Sequence, residues 1–235
     1  MRYPSVMGEW STLVEARGGR SISRFGDGEI KLALGRSAKS QAGDPKLALE
    51  LKKILRAPTG PVLPCIPNIG GPPGPKEAFW SQYRQGRYVS LYASHGVYGS
   101  SFVTRPDSAP GIDVPDYWAA VREIWHGRDP ILVRGSTKSL VAGELEGAAS
   151  VHEIVGPRQH AWTERFNIYH EVLALTRAPE ARKRPIILCL GATATVLASW
   201  LAIDGRWALD LGHIGMFLRK VKRNEPREVT EEDRR

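Results

Sequence analysis

Apolar runs of five or six residues recur along the whole chain, and helix-like stretches separate most of them. They are SISRF (21–25), VLPCI (62–66), YVSLYA (88–93), ILVRG (131–135), VHEIV (151–155), PIILCL (185–190) and WALDLG (207–212). No other feature restricts the fold as much. Strands that alternate with helices imply a mostly parallel sheet, covered by helices on both faces. The clearest helix is GDPKLALELKKILR. Asp44 suits its N-cap, Pro45 its first turn, and Leu47, Leu51, Ile54 and Leu55 share one face. A second, DYWAAVREIWHG, aligns Trp118, Val121 and Trp125 and stops at Gly127.

The 235 residues suffice for one substantial α/β domain, expected over residues 1–222. Residues 58–75 hold seven prolines and four glycines, so they read as loop with at most a short edge strand, either a lid or a passive excursion. Residues 223–235 mix both charge signs with few apolar side chains and read as a disordered tail. Residues 186–203 carry no charge over 18 positions, near the lower limit for a membrane span. Gly191, Thr193 and Thr195 divide that segment into a buried strand and a helix ending near Gly205, so no span is expected. Two cysteines, Cys65 and Cys189, make no disulfide framework, and with no signal-like N-terminus they fit a cytoplasmic setting. The net charge of +8 favours anionic partners, or simply a solvated basic surface.

Ligands on parallel sheets bind beyond the carboxyl ends of the strands. Two motifs fall there, SRFGDGE and LCLGATAT. In the first, a Gly-Asp-Gly turn precedes a helix expected to begin at Glu29. Asp27 and Glu29 then admit two readings. They offer hard oxygen ligands for Mg²⁺ or Mn²⁺ beside a substrate phosphate, or they are an N-cap and a first-turn acid and nothing more. In the second, Gly191, Thr193 and Thr195 form a turn able to hold a phosphate or ribose, or merely a close strand–helix contact. Asp210 and His213 end WALDLGH and should reach the same edge. His213 can complete a metal shell, contact the donor, act as a base, or cap a turn. Arg105, in VTRPD, can bind phosphate or serve only as a surface cation. Tryptophans such as Trp162 read as packing before stacking. HEIVG lacks the second histidine of a zinc protease, and GSTKS lacks the Gly-Lys pair of a Walker loop.

SISRFGDGEI resembles the opening signature of the GT-D-type glycosyltransferases, once known as the domain of unknown function 1792, with its Asp-X-Glu motif. SSFVTRPDS, VRGSTKSLVAGELEGAASVHEIVGPRQHAW and LCLGATATVLASWLAIDGRWALDLGH resemble later segments, so the likeness runs from about residue 11 to 218. The chain departs from the pattern at Gly135-Ser136-Thr137, where members more often carry an acidic residue, and after His213.

The resemblance implies a single Rossmann-like domain and a metal-dependent hexosyltransferase moving sugar from a nucleotide-diphospho-sugar, a UDP-sugar by expectation, to an acceptor hydroxyl. The acceptor would be a glycan, a protein or nucleic acid. Asp27 and Glu29 would hold the metal, and Asp210 and His213 would join them in catalysis. Arg24, Gly26, Gly28, Arg105, Lys138, Gly191, Thr193 and Thr195 would contact the donor. Two rivals stand beside this reading: a basic nucleic-acid-binding protein, and a Rossmann-like S-adenosylmethionine-dependent methyltransferase with its cofactor at Gly191.

Overall fold

In the run PIILCL, Ile187 and Cys189 project into one apolar cluster and Ile186 and Leu188 into another on the opposite side. Strand residues alternate faces, so a strand apolar on both must be covered on both. A computed structural model shows this arrangement, and describes residues 3–69, 79–93, 95–105, 112–135 and 139–222. Among them lie strands β1 (Ser5–Val6), β2 (Ser21–Arg24), β3 (Val62–Ile66), β4 (Val97–Ser100), β5 (Ile131–Arg134), β6 (His152–Val155), β7 (Ile186–Cys189) and β8 (Ala208–Asp210). They form one open sheet in the order β1-β4-β3-β2-β8-β7-β5-β6, with every neighbouring pair parallel.

The helices are α1 (Glu9–Arg17), α2 (Asp27–Ala33), α3 (Pro45–Leu55), α4 (Val114–Arg122), α5 (Arg165–Leu175), α6 (Ala192–Ile203) and α7 (Ile214–Lys222). α1, α4 and α7 cover one face of the sheet, with Leu13, Trp118, Val121, Ile214 and Phe217 in a common cluster. α2, α3, α5 and α6 cover the other. The chain is thus a single α/β domain with helices on both sides of a parallel sheet.

Local chemistry explains the boundaries. The Asp44 carboxylate accepts from the Leu47 amide at 2.8 Å, capping α3, and all four of the helix's expected inward residues are buried. α4 begins at Val114, two residues before the expected start, because Asp113 caps it by accepting from the Asp116 amide at 3.0 Å. The uncharged run 186–203 is strand β7 followed by α6, a helix buried for nearly its whole length between the sheet and its neighbours. Among the described residues, no helix is long and apolar enough to cross a membrane.

Two expectations are corrected. YVSLYA forms a 3₁₀ turn, Gly86–Leu91, and not a strand; Gly86 at φ 55° starts it and Tyr88, Leu91 and Tyr92 pack among other aromatics. VLPCI is a fully buried inner strand, not an edge one. Cys65 bonds toward β2 through its carbonyl, so Pro64 faces β4, whose ladder starts only at Cys65, and its missing N–H breaks no pair. Strands β1 and β4 were not expected at all. The remainder of the loop after residue 69 and the tail after 222 fall outside the described residues.

Candidate active site

The strand order changes direction between β2 and β8. From β2 the sheet runs outward through β3 and β4, and from β8 through β7, β5 and β6. A crevice opens at the carboxyl ends where such a reversal occurs. β2 ends at Arg24 and delivers Asp27 and Glu29 to one side of it, and β8 delivers Asp210, Gly212 and His213 to the other.

At the end of β2, Gly26 caps α2 in extended conformation, and the helix starts at Asp27 rather than Glu29. The Gly26 amide donates to Glu29 Oε2 at 2.9 Å, and Lys31 Nζ donates to Asp27 Oδ2 at 2.8 Å. Glu29 thus closes a capping box, as a first-turn acid does, whereas Asp27 is not the N-cap and pairs instead with Lys31 one turn on. The other oxygens, Asp27 Oδ1 and Glu29 Oε1, are engaged by no other side chain among the described residues. Glu29 keeps some accessible surface, yet its carboxyl is closely enclosed. That burial, with the charges of Asp210 and Asp27 nearby, pushes its pKa up to about 7.

Asp210 is buried and fully engaged. Its Oδ2 accepts from the Arg24 amide at 3.0 Å and lies 2.9 Å from the Thr195 hydroxyl, and its Oδ1 accepts from the Gly212 amide at 3.2 Å. Burial raises its pKa, and Arg24 opposes that rise. It thus locks β8, β2 and α6 together behind the acid pair. Thr195 belongs to the same lock. It is buried, its hydroxyl also lies 3.0 Å from the Arg24 carbonyl, and its own carbonyl accepts from Ser23 Oγ at 2.7 Å.

Arg24 is likewise a strut in this structure. Its guanidinium donates to the Ser101 carbonyl at 3.0 Å, to Thr104 Oγ1 at 2.7 Å and to the Leu211 carbonyl at 2.8 Å. Gly212 must be glycine beside it, since φ is 51° and a Cβ would stand 2.8 Å from Arg24 Nη1. Arg105 lays its guanidinium over the Phe217 ring of α7, 4.6 Å from the centroid. A Cβ added at Gly28 would meet Ala38 at 3.6 Å, an ordinary contact, and Thr193 is buried in the first turn of α6. Lys138 lies outside the described residues.

Beyond the ends of β7 and β8 is a small cavity of about 100 Å³, lined by Gly191, Gly212 and His213, the last of them exposed. Its walls are Ser40 and Gln41 from the loop after α2, Gly135 and Ser139 beyond β5, and Pro157 and Arg158 beyond β6. Asp27 and Glu29 do not line it; they follow β2, the strand next to β8. Sequence reasoning missed Ser40, Gln41 and Arg158, which lie on irregular loops without a motif. The Arg158 guanidinium has no ion pair with the protein among the described residues, a state suited to an anionic ligand. Trp162 is core, donating from Nε1 to Asp44 Oδ1 at 3.1 Å.

In an open parallel α/β sheet, the carboxyl edge that carries these acids and small-residue turns is where ligands bind. A model of the family described as "Glycosyltransferase GT-D fold" matches residues 22–231. The "Probable glycosyl transferase Gly" of Streptococcus gordonii is 31% identical over 211 residues, covering 83% of this chain and 30% of that protein. "Glycosyltransferase GlyD" of Streptococcus pneumoniae serotype 4 is 30% identical over 206 residues, covering 83% and 25%. The chain thus spans less than a third of either relative. Among solved structures, one described as "A New Glycosyltransferase (DUF1792) from Streptococcus sanguinis" superposes with a TM-score of 0.82 at 29% identity, covering 97% of this chain and 88% of that one. Another, "The highly conserved domain of unknown function 1792 has a distinct glycosyltransferase fold", gives 0.79 at 30% identity, covering 97% and 84%. The chain belongs to the GT-D glycosyltransferase family. That family is one of glycosyltransferases, the class that the opening motif led us to expect.

Proposed function

We propose that the chain transfers a sugar from a nucleoside-diphospho-sugar to an acceptor hydroxyl, with a divalent cation at Asp27 and Glu29. One observation supports this reading: β2 and β8 are neighbours, so the acids that follow β2 and the Gly212–His213 end of β8, which lines the cavity with Gly191 and Arg158, emerge at the same carboxyl edge of the sheet. The donor set suits a hard cation. Two carboxylate oxygens remain unengaged by other side chains, and a bound Mn²⁺ or Mg²⁺ would offset the burial, and with it the neighbouring negative charge, that raises the pKa of Glu29. When bound, such an ion would offset negative charge on the departing diphosphate.

The chain's own residues supply the rest. The first amides of α6, presented by Gly191, point toward the same edge and favour phosphate. Arg158 adds a cation there. Asp210, Thr195 and Arg24 hold the ends of β2, β8 and α6 in fixed relation, so the acids and the turn keep their spacing without reorganising. The acceptor hydroxyl attacks the anomeric carbon, the bond to the diphosphate breaks, and His213 at the rim takes the hydroxyl proton. The basic surface favours an acidic acceptor.

A thermal-shift panel tests this reading. UDP- and GDP-sugars and S-adenosylmethionine would each be added with and without Mn²⁺. A nucleotide-sugar should raise the midpoint only when Mn²⁺ is present. Stabilisation by S-adenosylmethionine alone would refute it.

A further inference from the structure

Among the described residues, His160 alone of the non-glycines has a positive φ, at φ 54° and ψ 34°. An L residue holds that conformation only where its surroundings over-determine it, and such sites gather around function. The His160 amide donates to the Ser40 carbonyl at 2.9 Å, and its Nδ1 accepts from the Ala42 amide at 3.3 Å. Two residues on, the Trp162 amide donates to Gln41 Oε1 at 3.4 Å, and its indole reaches Asp44. Four hydrogen bonds thus fasten the loop after α2 to the loop after β6. The left-handed turn lets one residue reach both a carbonyl and an amide of the opposite loop.

These two loops carry Ser40, Gln41, Pro157 and Arg158, which wall the cavity beside Gly191. His160 itself is exposed, so burial gives it little weight in the core. What it determines is where the cavity wall stands. We infer that His160 is a positioning residue for the nucleotide donor: it latches the Ser40–Ala42 wall and Arg158 around the diphosphate. This rests on the donor reading above.

The test pairs amide hydrogen exchange with titration of UDP in the presence of Mn²⁺, on wild type, His160→Gly and His160→Asn. Glycine keeps the backbone angle but has no acceptor, whereas asparagine tolerates the angle and offers Oδ1 to the Ala42 amide. In His160→Gly, loss of one hydrogen bond should speed exchange at Ala42 and weaken UDP binding, each by about fivefold, with α6 amides unchanged. His160→Asn should recover both. If His160→Gly frees the Ala42 amide yet binds UDP as tightly as wild type, the latch has no part in donor binding and the inference fails. Unchanged exchange at Ala42 would equally overturn it. A wild type that binds none of UDP, GDP, ADP or CDP with Mn²⁺ would instead sink the donor reading, and this inference with it; exchange in the free protein tells the two failures apart.

Discussion

Gly191 holds φ 56° and ψ −145°, a region almost closed to residues with a Cβ, while the space around it is open, with Ser40 Oγ the nearest atom at 3.7 Å from an added Cβ. The penalty of Gly191→Ala is therefore backbone strain alone. We expect a loss of about 1–3 kcal/mol in urea unfolding, and an unchanged midpoint would contradict the assigned angle. The thiols behave differently from exposed cysteines. Cys65 and Cys189 are buried, and burial pushes Cys189 up to about 12 and Cys65 higher still. Neither should react with a disulfide reagent at pH 8 until the protein unfolds. At this scale the position of the acid pair, Asp210 and the Gly191 turn at the sheet's carboxyl edge was legible, because each ends or follows an apolar run. The strut roles of Arg24 and Thr195 were not. Their partners lie far off in sequence, at Ser101, Leu211 and Asp210, and only folding brings them into reach.

Elements show why some strands were visible and others hidden. β5, β7 and β8 are apolar on both faces, so composition alone reveals them. β4 reads VYGS, because a Cβ at Gly99 would lie 2.6 Å from Cys65 Sγ; the close approach that requires glycine also removes the apolar signal. β1 is two residues long and carries no pattern. The Thr195 contact that joins α6 to β2 and β8 gives a test. Thr195→Val keeps the shape and leaves Asp210 Oδ2 with one donor fewer, so stability should fall by about 1–3 kcal/mol. β5 and β6 are joined across their ladder by Arg134, which grips Glu153 at 2.7 and 2.9 Å. That bidentate hydrogen bond holds the Glu153 carboxyl below its usual range. A depressed acid contributes stability above the unfolded pKa and loses it as pH falls through the folded one. Arg134→Met should therefore remove about 1 kcal/mol near pH 7 and progressively less as pH falls below the ordinary glutamate range, read from unfolding midpoints across that range.

At the scale of the whole molecule, strand order decides where chemistry can happen. The reversal between β2 and β8 brings residues 24–29 and 210–213 together, although most of the chain separates them. The alternation of strands and helices made the parallel sheet legible. The order of the strands left no trace in any local pattern, so the crevice could be placed at an edge but not between two named strands. The cavity walls were less legible still, since Ser40, Gln41 and Arg158 sit on loops fixed by long-range hydrogen bonds. The central claim is that Asp27 and Glu29 bind a cation beside the donor diphosphate, and do more than begin α2. Calorimetric titration of UDP into wild type and into the Asp27→Ala/Glu29→Ala double variant, each with and without Mn²⁺, tests it most directly. The account expects Mn²⁺ to tighten UDP binding at least about tenfold in wild type, roughly 1.4 kcal/mol, and to have no effect on the double variant. The same Mn²⁺ dependence in both proteins would contradict it.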